Sequence, residues 1–280
     1  MIGQENLKNQ ISKLKDNGFP RFTIITGQKG QGKKTLAKYI ANKLKYPIIT
    51  IDTKIDNIRE MIELAYKQTE PIIYLIADAD KMSIGAKNSL LKVIEEPPNN
   101  AYFIMTLQQI ENTLETIKSR CIQIEMENYQ LEELNKFIDD IDNNISSSDR
   151  AILQECCQNK YQIELYIKYG VQEFYSYCKK VVDNIWRVQS ANSFKIAEKL
   201  DLKSDGTGYD IELFLNTFRE ICLQRLLNIV DNEDEQENFK CYGNSITITS
   251  QTIQQLNING INKISLIDKW ILSIRKIWRN

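Results

Sequence analysis

Over its first 126 residues the chain alternates short, continuously apolar, β-branched runs with stretches of helical periodicity, and no other feature restricts its fold as strongly. The runs occupy residues 21–25, 48–51, 72–77, 102–107 and 122–124. Helical spacing is read at 4–16, where Leu7, Ile11 and Leu14 recur, and at 34–44, 57–69 and 84–94. A strand apolar at every position, not every second one, must be covered on both faces. Strands separated by helices pair in parallel. The expected fold is an α/β domain at 1–126, a parallel sheet flanked by helices.

Beyond Met126 the strand signals stop. Helical patterns at 131–137, 149–157 (behind the Ser146–Ser148 cap cluster) and 161–169 predict a small helical lid at 127–170. Helices at 172–189, 194–200, 211–230 and 265–278, with a polar acidic loop at 231–237, predict an all-α C-terminal domain at 171–280. In the last helix Ile267, Trp270, Ile271, Ile274 and Trp278 share one face, which must pack against something large; an intramolecular bundle is the simpler expectation.

Composition narrows the chemistry. There is no histidine, so imidazole bases, histidine metal ligands and Ser-His-Asp or Cys-His catalysis are excluded. The six cysteines (121, 156, 157, 178, 222 and 241) form no C-x-x-C pair and are expected to be reduced and mostly buried. No apolar run approaches the ~18 residues of a membrane span, and Met1-Ile2-Gly3-Gln4-Glu5 carries no apolar signal core, so a cytoplasmic protein with no membrane partner is expected. The net charge of −1 conceals segregation: residues 1–50 hold ten basic and two acidic groups, whereas 101–150 and 201–250 hold four and ten each. A basic N-terminal module suits phosphate or nucleic acid.

A phosphate-binding pattern stands where that charge lies. Gly27-Gln-Lys-Gly30-Gln-Gly32-Lys33-Lys34-Thr35 follows the first strand and opens a helix, matching G-x-x-x-x-G-K-[ST] at all but the last position. Gly27, Gly30 and Gly32 let backbone N–H groups curl around phosphates, the helix adds its positive end, and Lys33 supplies a point charge. At the position of the Mg²⁺-binding hydroxyl stands Lys34, an ammonium that repels cations, with Thr35 about 100° further round the helix. The third strand ends in Ala77-Asp78-Ala79-Asp80, so the metal-holding carboxylate is a methyl and Asp78 is one methylene shorter than the glutamate that activates water. Loss of hydrolysis follows. No cofactor is required, no metal is expected, and weak Mg²⁺-independent binding of ATP, ADP or phosphate is left open.

Four stretches carry a resemblance. They are Ile2-Gly3-Gln4-Glu5; Ile58-Arg59-Glu60-Met61-Ile62; Ala79-Asp80-Lys81-Met82 with Asn88-Ser-Leu-Leu-Lys-Val-Ile-Glu-Glu-Pro-Pro98; and Thr116-Ile-Lys-Ser-Arg-Cys121. Their order and spacing resemble bacterial clamp-loader subunits of the AAA+ class, nearest to the delta-prime subunits of DNA polymerase III. The resemblance covers about residues 1–125; Gly208-Tyr209-Asp210 before a helix is compatible with that family's collar. It implies that Arg120, within Ser119-Arg120-Cys121, is an arginine finger inserted in trans into a neighbour's nucleotide site. The bland alternative is a surface arginine paired to a nearby carboxylate. Lys92, Glu95 and Glu96 are read as helix packing and termination before Pro97-Pro98.

The resemblance further implies a hetero-oligomer with gamma/tau-like ATPase and delta subunits, a sliding clamp and primed DNA, acting in DNA replication. Two departures fit a subunit that does not burn ATP. No cysteine lies between the loop and the acidic strand, where many relatives carry a four-cysteine zinc module, and residues 159–163 contain no sensor arginine. The competing readings are an active gamma/tau-like ATPase using Lys33 and Asp78, and a nucleic-acid adaptor using the basic module alone.

Overall fold

A computed structural model describes all residues except 1–2, 17, 186–195, 197, 203–205, 230–235, 257, 259 and 280, in two compact units, Met1–Glu133 and Leu134–Asn280. The first unit holds a five-stranded parallel sheet of order β2-β3-β4-β1-β5. Its strands are β1 Phe22–Thr26, β2 Ile48–Ile51, β3 Ile72–Ile76, β4 Ala101–Leu107 and β5 Ile122–Glu125. The helices are α1 Glu5–Asp16, α2 Lys33–Leu44, α3 Ile55–Tyr66, α4 Ile84–Glu95 and the single turn α5 Glu115–Lys118.

Neighbouring residues on each central strand enter opposite cores. Ile24, Tyr74 and Phe103 join the cluster under α3 and α4, with Met61, Leu90 and Val93. Ile25, Leu75 and Ile104 join the cluster under α1 and α2, with Ile11, Leu36 and Ile40. Each such side chain contributes about 1.5–3 kcal/mol by leaving water, and this explains why β1, β3 and β4 read as unbroken apolar runs. The edge strands β2 and β5 are only partly covered. Because all five strands are parallel, the carboxyl ends of β1, β3 and β4 open onto one rim of the sheet, where ligands bind in such folds.

In the second unit α6 Leu131–Ile141, which starts at the end of the first, is followed by α7 Ser147–Cys156, α8 Lys160–Tyr169, α9 Val171–Asn184, α10 Ile211–Ile229, α11 Gln236–Leu256 and α12 Lys263–Ile277. Ser146 and Asn159 cap α7 and α8 with their side-chain oxygens, and Asp210 caps α10 by accepting from the Leu213 N–H at 2.9 Å. Helices expected in the lid and in the C-terminal domain share a core. Tyr166 of α8 and Thr217 of α10 share a buried hydrogen bond of 2.7 Å, and Tyr166 packs edge-on to Phe174 of α9. Gly208 is required because a Cβ there would lie 2.6 Å from the Leu200 backbone carbon.

The apolar face of α12 packs inside its own unit: Ile267, Trp270, Ile271 and Ile274 are buried, with Trp270 edge-on to Phe214 and Phe218. Helix α11 has no counterpart in the sequence reading. Its Ser-Ile-Thr-Ile-Thr-Ser run at 245–250 has strand-like alternation, yet the hydroxyls of Ser245, Thr247, Thr249, Ser250 and Thr252 each donate to the carbonyl four residues back. Trp270 and Trp278 then donate their indole N–H groups to Thr249 and Ser245. Tertiary packing overrides propensity here. The helix expected at 194–200 does not run to its end: 198–199 form a turn and Leu200 bridges to Tyr209, while 194, 195 and 197 lie outside the described residues. Most of the loop expected at 231–237, the end of the helix expected at 172–189, and residue 230 also lie outside the described residues.

Candidate phosphate-loop site

The loop begins where β1 ends, and the Gly27 N–H donates to the Leu107 carbonyl at 3.2 Å, tying it to the end of β4. Gly27 is needed because a Cβ would stand 2.5 Å from Gln31 Oε1 and 2.8 Å from Met126 Cβ. Gly32 has φ 96° and is the N-cap of α2, with no side chain capping the first turn; such an end accommodates an anion. Gly30 lies exposed at φ 80° between them. Lys33 is buried, and its ammonium turns back into the loop to donate to the carbonyls of Gly27 at 2.5 Å and Gln28 at 2.8 Å.

Lys34 and Asp78, singled out separately in the sequence, meet. Lys34 Nζ lies 2.9 Å from Asp78 Oδ2, and Lys81 Nζ approaches the same oxygen at 3.9 Å. The Asp78 backbone is in the left-handed region (φ 54°), held there by its N–H donating 2.9 Å to the buried Thr106 hydroxyl at the end of β4. Asp80 accepts from the Gln108 N–H at 2.8 Å. Thr35 is exposed on the next position of α2. These donors do not fit Mg²⁺: the group at the hydroxyl position is itself a cation paired with Asp78, and a methyl, Ala77, stands where the metal-holding carboxylate would be. Among the described residues no group of three Cys, Asp or Glu side chains is arranged to hold a metal.

Arg120 follows the single turn α5, about half exposed. Its Nη2 pairs with Glu95 Oε1 at the end of α4 at 3.2 Å, and its Nη1 donates to the Thr116 carbonyl at 3.0 Å. The Ser119 hydroxyl also donates to Thr116 O, at 3.2 Å. Cys121 packs against the α3/α4 core, and burial pushes its thiol up to about 12, so it is inert at neutral pH. In this chain alone Arg120 thus has the carboxylate partner of the bland reading, and Glu95 acquires a role beyond ending its helix. The six cysteines are free, four of them buried.

Two side chains escaped the sequence reading as site residues. Gln31 occupies an unconstrained x of the pattern, yet it is buried and bonded on every polar group. Gln4 clasps the backbone of Glu127, donating to its carbonyl at 2.6 Å and accepting from its N–H at 3.0 Å. Only Gln4 had a signal, its place in the opening Ile-Gly-Gln-Glu stretch.

Sheet order, glycine loop and helical C-terminal portion make a fold like that of AAA+ proteins. Residues 45–130 match the family described as DNA polymerase III, delta subunit. The gamma subunit of DNA polymerase III from Buchnera aphidicola subsp. Schizaphis graminum is 29% identical over 174 residues, covering 49% of this chain and 47% of that one. The tau/gamma subunit from Haemophilus influenzae is 26% identical over 160 residues, 45% of this chain and 23% of that one. This chain spans about half the length, or less, of the curated relatives it matches. A RuvB variant from Thermotoga maritima shares the fold, with a TM-score of 0.50 and 16% identity over 82% of this chain and 78% of that one. These matches agree with the clamp-loader AAA+ class that the motifs resemble. Among the described residues no helix is long and apolar enough to cross a membrane.

Proposed function

We propose that this chain is a clamp-loader subunit of a DNA polymerase III assembly, a delta-prime-like stator that does not hydrolyse ATP but donates Arg120 to the nucleotide site of a neighbouring gamma/tau-like ATPase. Its partners are then that ATPase, a delta subunit, the sliding clamp and primed DNA, in the cytoplasm. The observation that carries the reading is the Lys34–Asp78 ion pair, which fills the metal position with a fixed ammonium and neutralises the remaining acidic group. The glycine loop keeps the form of a phosphate site, so no nucleotide is required and any binding is weak and independent of Mg²⁺. Arg120 is half exposed, with Nη1 on the Thr116 carbonyl and Nη2 on the exchangeable carboxylate of Glu95, so a neighbour's γ-phosphate can replace Glu95 at small cost, a surface pair being worth about 0–1 kcal/mol. A guanidinium beside that phosphate offsets charge in the transition state.

The second reading is an active gamma/tau-like ATPase, favoured by the names of the relatives and by the retained Lys33. ATP hydrolysis by the purified chain, with and without Mg²⁺ and primed DNA, separates the two. No turnover is expected. Mg²⁺-dependent turnover that responds to DNA refutes the stator. In the reconstituted complex, Arg120→Ala is expected to lower ATPase activity by about 10³-fold, on the scale of other arginine fingers.

A further inference from the structure

We infer that the amino-terminal rim of the sheet, at the end away from the phosphate loop, is a binding surface for a single strand of nucleic acid. Arg21, Tyr46 and Tyr102 form its stacking platform, and Lys43 and Lys45 take the phosphates. The inference rests on the geometry of that rim and not on the stator reading.

Because the strands are parallel, their amino ends meet at one rim, where Arg21 precedes β1, Tyr46 stands two residues ahead of β2, and Tyr102 is the second residue of β4. Tyr102 is the centre of the cluster. Arg21 Cζ stands 4.4 Å from its ring centroid, and the rings of Tyr46 and Phe19 lie 5.2 Å and 6.4 Å away. Phe19 is buried, whereas Arg21, Tyr46 and Tyr102 each keep part of their surface in water. Helix α2 ends on the same rim. Lys45, its C-cap, takes a left-handed backbone (φ 60°), and the Tyr46 N–H turns back to the Ala41 carbonyl at 3.1 Å. That turn sets Lys43 and Lys45, both exposed, within three residues of Tyr46.

The charge on this rim is uncompensated: Arg21, Lys43 and Lys45 form no ion pair among the described residues. Glu70, exposed ahead of β3, is an acidic neighbour at the rim, outnumbered by these three cations. Arg21 also has an unmet need, because its Nη1 is buried with no acceptor. An unpaired buried donor is costly, and a phosphate or base carbonyl that draws the guanidinium outward satisfies it. Cations interleaved with aromatic rings suit a strand whose bases stack while its backbone is neutralised. The strand is single because paired bases do not offer their faces to a ring. An acidic peptide would engage the cations and leave the rings unused.

The test is fluorescence anisotropy of labelled oligo-dT and oligo-U, each of about 20 nucleotides, titrated with the full chain at low salt. Saturable binding is expected, the tighter of the two identifying the strand as DNA or RNA. Tyr46→Ala should weaken it at least about fivefold, the loss of one stacked base, and Tyr46→Phe should keep it. Lys43→Ala with Lys45→Ala should lower the slope of log affinity against log salt by about 1.4, or about 0.7 for each phosphate contact. Lys276→Ala, in the other unit, should change neither. A wild type that binds no strand at low salt overturns the inference, as does binding that the Tyr46 and lysine variants leave unchanged. Polyglutamate that competes as well as oligo-dT overturns it too, and makes the rim a site for an acidic protein. If Tyr46→Ala does not fold, Lys43→Glu with Lys45→Glu decides, and binding that survives this reversal of charge overturns the inference. None of these outcomes involves ATP turnover, so the stator reading stands or falls separately.

Discussion

The ion pair between Lys34 and Asp78 makes a prediction that can be worked from its geometry. At 2.9 Å two unit charges attract by about 1.4 kcal/mol in a medium as polar as water. The two side chains are 54% and 42% exposed, so solvent screening and the entropy of holding both leave a net of about 0.2–1 kcal/mol. A double-mutant cycle with Lys34→Met and Asp78→Asn measures it, asparagine being chosen because it tolerates the left-handed backbone at that position. The coupling read from denaturant unfolding should lie in that range at low salt. It should vanish at about 1 M NaCl, where the screening length is about 3 Å. In the same samples, millimolar Mg²⁺ should move the wild-type midpoint no more than NaCl of equal ionic strength. Stabilisation of the wild type by Mg²⁺ that Asp78→Asn abolishes would refute the argument, because it would show a metal displacing the lysine from the carboxylate.

Glu95→Gln should change stability by no more than about 1 kcal/mol, since it removes one half-exposed pair, and in the reconstituted complex it should leave ATPase activity intact while Arg120→Ala lowers it. The Cys121 thiol, raised from 9.0 to about 12, should react with a disulfide reagent at pH 7.5 about 10³-fold more slowly than an ordinary cysteine, and only unfolding should release it. Thr106→Val leaves the Asp78 N–H without its acceptor and should cost about 1–3 kcal/mol in urea unfolding. Burial raises the Glu220 carboxyl, against a smaller lowering by Arg219, so the folded state holds its proton to higher pH than the unfolded chain. Stability from this group therefore falls as pH rises out of the ordinary carboxylate range; Glu220→Gln should be more stable than wild type at pH 7 and lose that advantage at pH 4.

The α/β half was legible because its strands are buried on both faces, so hydrophobicity alone marks them. Residues 48–51 were read to the residue, and the other strand boundaries moved by no more than one. The helical half was legible only where an apolar stripe exists. Helix α11 has hydroxyls where such a stripe would stand, and those hydroxyls are satisfied by the helix's own carbonyls and by two tryptophans that come from α12. No local pattern announces a partner that far along the chain. At the site, Lys34 and Asp78 were each marked by departing from a pattern, but their pairing across 44 residues depends on β1 and β3 ending on the same rim. Gln31 was invisible because the pattern constrains glycines and lysine and leaves the intervening side chains open.

That pairing bears on the proposal that the phosphate loop persists here without turnover. The rim where β1 and β3 end carries the Asp78 carboxylate, and a nucleotide there would add phosphates, so a cation between them offsets their charge. A metal ion fills that place reversibly, carries two charges and exchanges its ligands during a reaction. Lys34 brings one charge on a tethered chain, and an ammonium offers donors but no open coordination position. Gln31 and Lys33 tie the loop to itself as well, through the Gln28 N–H and the Gly27 carbonyl. The Arg120–Glu95 pair is as exposed as Lys34–Asp78, so Arg120 too can exchange its carboxylate partner.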